Sequence, residues 1–272
     1  NPSGNVGGSG TTGGNLTVNC TVDLGAGNIT QIHLGTTTFN GLVTTTGSII
    51  LDQQTTGNLI LSGSGAFTSN DIYVNGGLLT LGTTTSSGTI DRISDTATLT
   101  LAGGQLVLSH VNDVGDTENV GTLALGAGYS VITGTNGGSK NQIVSFGAFG
   151  TRATGATINF ASSTSANANG SVQFSGTAPT LVNNLIGGWA TVGDNFATIS
   201  GTNVLALSGT VPATGYTQFS NVDFSGAGSS ANVNEIITSG GTGVFMGASN
   251  TINSLRLQSS GAGGVNILDL SG

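Results

Sequence analysis

The sequence is poor in charge, proline and long apolar runs, and each shortage excludes a class of protein. Only 4 of its 272 residues are Lys or Arg and 12 are Asp or Glu, whereas charged residues make up about 25% of an ordinary soluble domain. The basic surface that nucleic acid or an anionic membrane requires is missing. No run approaches the roughly 18 apolar residues of a membrane helix, and 3 prolines without a glycine period exclude collagen. We therefore predict no nucleic-acid partner and no membrane insertion.

Residues that commonly carry chemistry are also scarce. The chain has one cysteine, one tryptophan and two histidines. Cys20 has no partner for an internal disulfide, so we expect it to be a small buried apolar side chain. Neither histidine lies in a recognisable catalytic motif, and the sequence contains no nucleophile elbow and no phosphate-binding loop in a strand-to-helix context. The sequence thus favours a protein without enzymatic activity.

Small neutral residues dominate the composition instead. By count, 48 Gly, 41 Thr, 30 Ser and 26 Asn make up about half of the chain. Disorder does not fit, because 36% of the residues are apolar and the net charge of −8 is spread thinly. Short runs that alternate apolar residues with Thr, Ser or Asn recur along most of the sequence, as in Thr98–Leu101, and helix-forming patterns are nearly absent. The pattern predicts an all-β protein.

Two all-β architectures suit this pattern, an antiparallel sandwich or barrel and a β-solenoid. Antiparallel folds protect their edges with Lys, Glu or Pro, which are rare here. In a solenoid like residues stack on like residues, and stacked Thr, Ser and Asn can bond along the ladder whereas stacked charges repel. We predict a parallel β-helix (β-solenoid) domain over residues 16–272, preceded by a Gly-rich arm or strand over residues 1–15. At roughly 20 to 25 residues per coil, it has about a dozen coils.

Several segments resemble the autotransporter-associated β-strand repeat proteins, which are large Gly/Thr/Asn-rich surface proteins of bacteria. The resemblance rests on the Asn-Gly-Gly-Leu-Leu-Thr-Leu cadence that ends at Leu81, on residues 119–134, and on Gly-Gly-Trp-Ala-Thr at 187–191. Membership would imply a right-handed parallel β-helix that is displayed outside the cell as a structural or adhesive stalk. Neither a leader nor a C-terminal translocator barrel is recognisable in the sequence.

The densest acidic group is the candidate metal site. Asp113, Asp116 and Glu118 lie within six residues of one another, and Ca²⁺ takes several oxygen ligands from flexible loops. These three residues are the predicted Ca²⁺ ligands if any cofactor is bound, and the alternative is a solvated acidic loop. Arg92 lies between Asp91 and Asp95, and we expect a surface ion pair there.

Two further features could be sites of interaction. Trp189 could contact a glycan through its ring, although packing at a corner of the solenoid is the alternative. The segments at the two ends of the sequence look like strands without caps, which predicts an interface between successive units. The residues predicted to form that longitudinal interface are apolar residues of the two end segments: Leu16, Val18, Val22, Ile267, Leu268 and Leu270.

Three functions remain open on the sequence. The first is an extracellular structural protein that assembles head to tail with itself or with neighbouring solenoid segments into a surface filament, sheath or stalk. The second is an adhesin passenger that binds surface polysaccharide. The third is a carbohydrate-active β-helix enzyme that uses the carboxylates of Asp113, Asp116 and Glu118. The small number of charged residues favours the first.

Overall fold

The computed structural model contains β-strands and no helix in the part of the chain that it describes. That part comprises residues 14–32, 34–52, 57–62, 65–82, 88–89, 91–109, 116–135, 142–161, 163, 171–207, 217–220, 230–239, 244–245, 252–259 and 268–269. In the described segments no helix is long and apolar enough to cross a membrane. The first twenty strands are β1 (Leu16–Val18), β2 (Val22–Asp23), β3 (Ile29–Gln31), β4 (Thr36–Phe39), β5 (Val43–Thr44), β6 (Ile49–Leu51), β7 (Asn58–Leu61), β8 (Asp71–Val74), β9 (Leu78–Gly82), β10 (Gly88–Thr89), β11 (Thr98–Leu101), β12 (Gln105–Ser109), β13 (Asp116–Leu125), β14 (Gly128–Thr135), β15 (Gln142–Arg152), β16 (Ala156–Phe160), β17 (Ser171–Thr177), β18 (Ala190–Val192), β19 (Asn195–Ser200) and β20 (Asn203–Ala206).

Parallel stacking of these strands produces a β-solenoid of about four turns in the best-described part of the chain. Wall 1 consists of β1, β4, β7, β9, β12, β14 and β16, each hydrogen-bonded to the next in parallel. A second long wall, called wall 3 because the shorter wall 2 lies between it and wall 1 along the chain, has strands that pair in the same way: β3, β6, β8, β11, β13, β15 and β17. The predicted all-β solenoid with parallel neighbours is therefore confirmed for this part of the chain.

The strands stack in register because alternate side chains point into one shared core. On wall 3, Ile49 lies on Ile29, Ile72 on Ile49, and Leu99 on Ile72. All four are buried, whereas their neighbours in sequence, such as Thr98 and Thr100, are only half-buried. A one-residue slip would turn every apolar side chain outward, so the burial pattern fixes the register. The alternation of apolar residues with Thr is thus what specifies the stack.

A third, shorter wall closes the first four turns. Wall 2 consists of β2 and β5, which pair in parallel, and of Phe67 and Ile93, which continue the column through isolated parallel bridges. β13 begins a different kind of turn, because this single ten-residue strand pairs with both β10 and β11. Among the described residues, wall 2 ends at Ile93.

The parallel order is interrupted after β18. β18 still pairs in parallel with β16, but β19 pairs antiparallel with β18, and β20 pairs antiparallel with both β19 and β17. We call β18–β20 the meander. It joins wall 1 to wall 3, and its buried residues Ala190, Ala197 and Val204 belong to the main core. One parallel β-helix domain was predicted over residues 16–272, and the antiparallel meander was not.

Five further strands follow the meander: β21 (Thr217–Ser220), β22 (Ser230–Ser239), β23 (Val244–Phe245), β24 (Ile252–Ser259) and β25 (Leu268–Asp269). β21, β22 and β24 form one parallel sheet, and β23 pairs in parallel with β25. Parallel stacking therefore returns in the C-terminal part of the chain.

The first turn differs from the later ones in exposure. Leu16 is 37% exposed although it occupies the column in which Thr37 and Leu59 are buried. Cys20 is exposed, so the expectation of a buried thiol was wrong. The reason is that Cys20 lies between β1 and β2 of the first turn, where the described residues supply no turn below it.

Close contact between turns leaves no space for side chains at some glycines. A Cβ on Gly65 would collide with the carbonyl oxygen of Phe39 in the turn below. We expect Gly65→Ala to lower the free energy of unfolding by about 1–3 kcal/mol, the usual cost of overpacking. The matched control is Gly188→Ala, because a Cβ there meets no atom within 4 Å. Urea unfolding of both variants measures the difference, and equal stabilities would contradict this close stacking.

Candidate functional site

The carboxyl group of Glu118 lies against Arg92 and Ile93, the last described residues of wall 2. Its Oε1 accepts hydrogen bonds from the backbone N–H of Arg92 (3.2 Å) and of Ile93 (2.7 Å). Its Oε2 accepts from the N–H of Arg92 at 3.1 Å. In the turns below, such N–H groups pair with the backbone, as Phe67 N–H does with the carbonyl of Arg92. The Glu118 side chain therefore takes the place of a backbone acceptor for the last described residues of wall 2.

Glu118 is fully buried, and its acidity reflects that burial. Burial raises the pKa of Glu118 to about 8, and the nearby charge of Asp91 adds to the rise. The two backbone N–H bonds and the guanidinium of Arg92 act in the opposite direction without cancelling it. At neutral pH the side chain is consequently mostly protonated, and it loses its proton in mildly alkaline solution.

Arg92 points into the core instead of lying on the surface. It is 5% exposed, and its Nη1 donates to the carbonyl oxygen of Gly65 at 2.7 Å. Burial lowers the pKa of Arg92, and attraction to Glu118 and Asp116 offsets part of that effect. Asp91 and Asp95 stay exposed and line a surface cleft. The predicted surface ion pair at 91–95 was therefore wrong, because the corner before Ile93 turns Arg92 inward.

The predicted metal ligands Asp116 and Glu118 point to the same side of β13, and both are buried. Asp113 lies outside the described residues. Within those that are described, no three His, Cys, Asp or Glu side chains are grouped closely enough to hold a metal ion. Both oxygens of Glu118 already serve backbone N–H groups, so its present arrangement suits a structural contact better than Ca²⁺ coordination. The Ca²⁺ site at Asp113, Asp116 and Glu118 stays a prediction.

Trp189 packs at the corner where β15 leads into β16. Its ring stacks on Phe149 with centroids 5.5 Å apart, and the guanidinium carbon of Arg152 lies 5.0 Å from the ring centroid. Arg152 Nη1 also donates to the carbonyl oxygen of Ala156 at 3.0 Å. The side chain is half-buried, so these contacts use much of the surface that a sugar would need. Glycan contact by Trp189 stays a prediction.

The predicted longitudinal interface is described at one end only. Val18 and Val22 pack against the core from the first turn and are half-buried, and Leu16, which lies in the column of the buried Thr37 and Leu59, is exposed. Ile267 and Leu270 lie outside the described residues, and Leu268 begins β25. The structure thus brings together the three N-terminal residues of the prediction on one apolar rung.

Ser163 is a residue that the sequence analysis missed. It is 3% exposed, and its hydroxyl donates to the carbonyl oxygen of Val204 while accepting from the N–H of Val172 at 3.1 Å. It therefore ties the meander to wall 3. A serine in a run of Ser, Thr and Ala carries no local signal of such a role, because its two partners come from different strands.

Comparisons with known proteins identify no related family or structure. No family model matches the chain, and neither the curated proteins nor the solved structures contain a significant match. The fold itself is consistent with a β-helix repeat protein. The architecture that the described residues support is accordingly the identification: this chain is a β-solenoid.

Proposed function

We propose that the chain is a non-enzymatic structural protein of the bacterial surface. In this proposal it is a right-handed solenoid of about a dozen coils that works outside the cell, as in the autotransporter-associated repeat proteins that it resembles. Its partners are further copies of itself or neighbouring solenoid segments, joined head to tail into a filament, sheath or stalk. A bound cofactor is not needed for this role.

The observation that carries the proposal is an exposed core position on the first described rung. Leu16 is 37% exposed at a core position, whereas Leu59, two turns further along the same column, is fully buried. β1 and β3 pair with β4 and β6 on one side, and the described residues offer no strand on the other. Such an edge is a template for another strand. β1 and β3 carry no charge that would repel an incoming chain.

The placement of the acidic residues supports a structural role over an enzymatic one. Glycoside-cleaving enzymes need two carboxyl groups that face a substrate in a cleft. Here Asp116 and Glu118 lie in the interior, and Glu118 holds backbone N–H groups. The burial of Glu118 is therefore explained by its hydrogen bonds to the last described residues of wall 2.

Substitution of Leu16 on the first described rung tests the proposal. Leu16→Glu places a charge on the rung at a position exposed enough to tolerate it, so we expect at least tenfold fewer end-to-end assemblies than in the parent protein. The matched control is Tyr129→Glu, because Tyr129 is 59% exposed in the middle of the solenoid. Electron microscopy and sedimentation velocity measure the assemblies. A parent protein that stays monomeric at all concentrations would overturn the proposal.

A further inference from the structure

Two Asn-Gly pairs lie at corners of the described solenoid, and their surroundings differ. Asn40-Gly41 follows β4 of wall 1, and Asn75-Gly76 follows β8 of wall 3. Asparagine before glycine loses its side-chain amide readily, because glycine has no Cβ to hinder attack by its own backbone nitrogen. Two further pairs, at 136–137 and 169–170, lie outside the described residues. The solenoid thus holds the same reactive pair in two kinds of packing.

The turn below restrains the first pair. Asn40 Nδ2 donates to Asn19 Oδ1 at 2.7 Å, and the backbone N–H of Asn40 donates to the carbonyl of Val18 at 2.8 Å. Gly41 is buried, and a Cβ on it would collide with the carbonyl oxygen of Cys20. The side chain of Asn40 must therefore break a hydrogen bond, and its backbone must move within close packing, before the Gly41 nitrogen can reach Cγ.

The second pair is more accessible. Asn75 is exposed, and its side chain has no hydrogen-bond partner among the residues that the structure describes. Its backbone N–H is held by the carbonyl of Leu51 at 2.8 Å. The chain beyond it consists of Gly76 and Gly77, with φ of 96° and 66°, and glycine has the greatest backbone freedom of any residue. The nitrogen of Gly76 can therefore approach Cγ with little rearrangement of the surrounding turns.

We propose that Asn75 is a site of spontaneous modification, at which its amide becomes a carboxylate through a cyclic imide. The backbone nitrogen of Gly76 forms a bond to Cγ of Asn75. The proton of that nitrogen passes through solvent to the side-chain nitrogen, whose bond to Cγ breaks, and ammonia leaves. Water then adds to one of the two imide carbonyls and breaks its bond to nitrogen, which gives aspartate or isoaspartate. Water is the only co-reactant, and no atom is oxidised or reduced.

The product adds a second negative charge to one row of the stack. β6 and β8 pair with Leu51 opposite Val74, so Asp52 and Asn75 occupy the next position of successive turns. Both side chains are exposed, and neighbouring strands lie about 4.8 Å apart. A carboxylate at position 75 therefore stacks on that of Asp52, and like charges that face each other across paired strands repel. The modification weakens the contact between these two turns.

Peptide mapping of the full chain by mass spectrometry tests the site. The protein is kept in warm, mildly alkaline buffer, and replacement of the side-chain NH2 by OH is followed at Asn75 and Asn40. In the folded chain we expect Asn75 to react at least about tenfold faster, because the net cost of one broken hydrogen bond corresponds to a rate change of that order. In urea the two rates should converge, since both asparagines precede glycine. Equal rates in the folded chain, or a difference that persists in urea, would overturn the assignment.

Variants test the stacked charge separately from the reaction. Asn75→Asp introduces the carboxylate directly, and Asn75→Gln is the matched neutral control. We expect a lower midpoint of urea unfolding for Asn75→Asp than for the control, with a difference that shrinks at high salt. Adding Asp52→Asn to Asn75→Asp should restore the midpoint. Equal midpoints of the two single variants at low salt, or no recovery with Asp52→Asn, would overturn the predicted repulsion. None of these measurements depends on the proposed end-to-end assembly.

Discussion

Glu118→Gln is expected to abolish a loss of stability that the parent protein shows as the pH rises from about 4.5 to about 8. The pKa of Glu118 is raised in the folded protein, from 4.5 to about 8, chiefly by burial. Its contribution to stability is therefore fully present below the unfolded value of 4.5 and is lost as the pH rises through the folded value. A neutral amide has no proton to lose, so the variant should show a flatter profile over this range.

The expected size of the effect is large for one side chain. One pK unit corresponds to about 1.4 kcal/mol, so a shift of this extent sets an upper limit on the order of 4 to 5 kcal/mol. The amide oxygen of the variant can still accept the N–H groups of Arg92 and Ile93, which Glu118 Oε1 accepts now. We therefore expect Glu118→Gln to equal the parent near pH 4.5 and to exceed it near pH 9.

Urea unfolding at several pH values measures this difference. Asp95→Asn is the matched control, because it neutralises an exposed carboxylate at the outer side of wall 2. The control should retain the slope of the parent protein. A parent protein whose stability does not decline between these pH values, or a Glu118→Gln variant that declines equally, would show that the carboxylate is not held in the interior as described.

Leu99→Ala should produce the second large loss of stability. Leu99 is fully buried and lies between Ile72 and Leu123 of the neighbouring turns. Truncation removes apolar contacts and leaves a cavity, which costs about 2–5 kcal/mol in a well-packed core. The adjacent Thr100 is half-buried and points to the other side of β11, so Thr100→Ala should cost less than about 1 kcal/mol.

The pair of variants tests the register as well as the packing. If β11 were displaced by one residue, Thr100 would face the core and the order of the two effects would reverse. Denaturant unfolding of both variants at one pH gives the comparison. A cost for Thr100→Ala equal to or greater than that for Leu99→Ala would contradict the stacking of wall 3.

The sequence predicted the parallel stack because the information for it is local and repeated. In Thr98–Leu101, each leucine is buried and each threonine is half-buried, which is what alternation implies. Phe146, Phe149, Phe160 and Phe174 recur where the turns need bulky side chains in the interior; Phe146, Phe160 and Phe174 are buried, and Phe149 is half-buried. The scarcity of stacked charge pointed to the same architecture, since like residues meet across each rung.

The sequence did not predict the meander, because its composition matches that of the solenoid corners. A signal was present, since Gly193-Asp194 and Gly201-Thr202 are two-residue turns between alternating runs, and both glycines have positive φ. In a chain with 48 glycines, such pairs are too frequent to be distinctive. Only the antiparallel pairing of β19 with β18 and of β20 with β19 shows that these turns reverse the chain.

The site around Glu118 was predicted in its residues but not in its arrangement. The acidic group was recognised, yet its partner Arg92 is 26 residues away in sequence. In the sequence, the charges of Asp91, Arg92 and Asp95 look like a surface cluster. Only the corner of wall 2 turns Arg92 inward while Asp91 and Asp95 stay exposed. Contacts between successive turns of unequal length are what a single sequence does not reveal: Ile29 and Ile49 are 20 residues apart, whereas Ile158 and Ala190 are 32 apart.

The end of wall 2 changes how the molecule resists bending. A tube of triangular section has nearly the same flexural rigidity in every direction, whereas a flat, two-layered section yields across its thin dimension. The first four turns have the former section, and among the described residues no strand continues wall 2 in the turns that begin with β13. A sideways load therefore bends these turns mainly in one plane. The more flexible section begins at the level of Glu118.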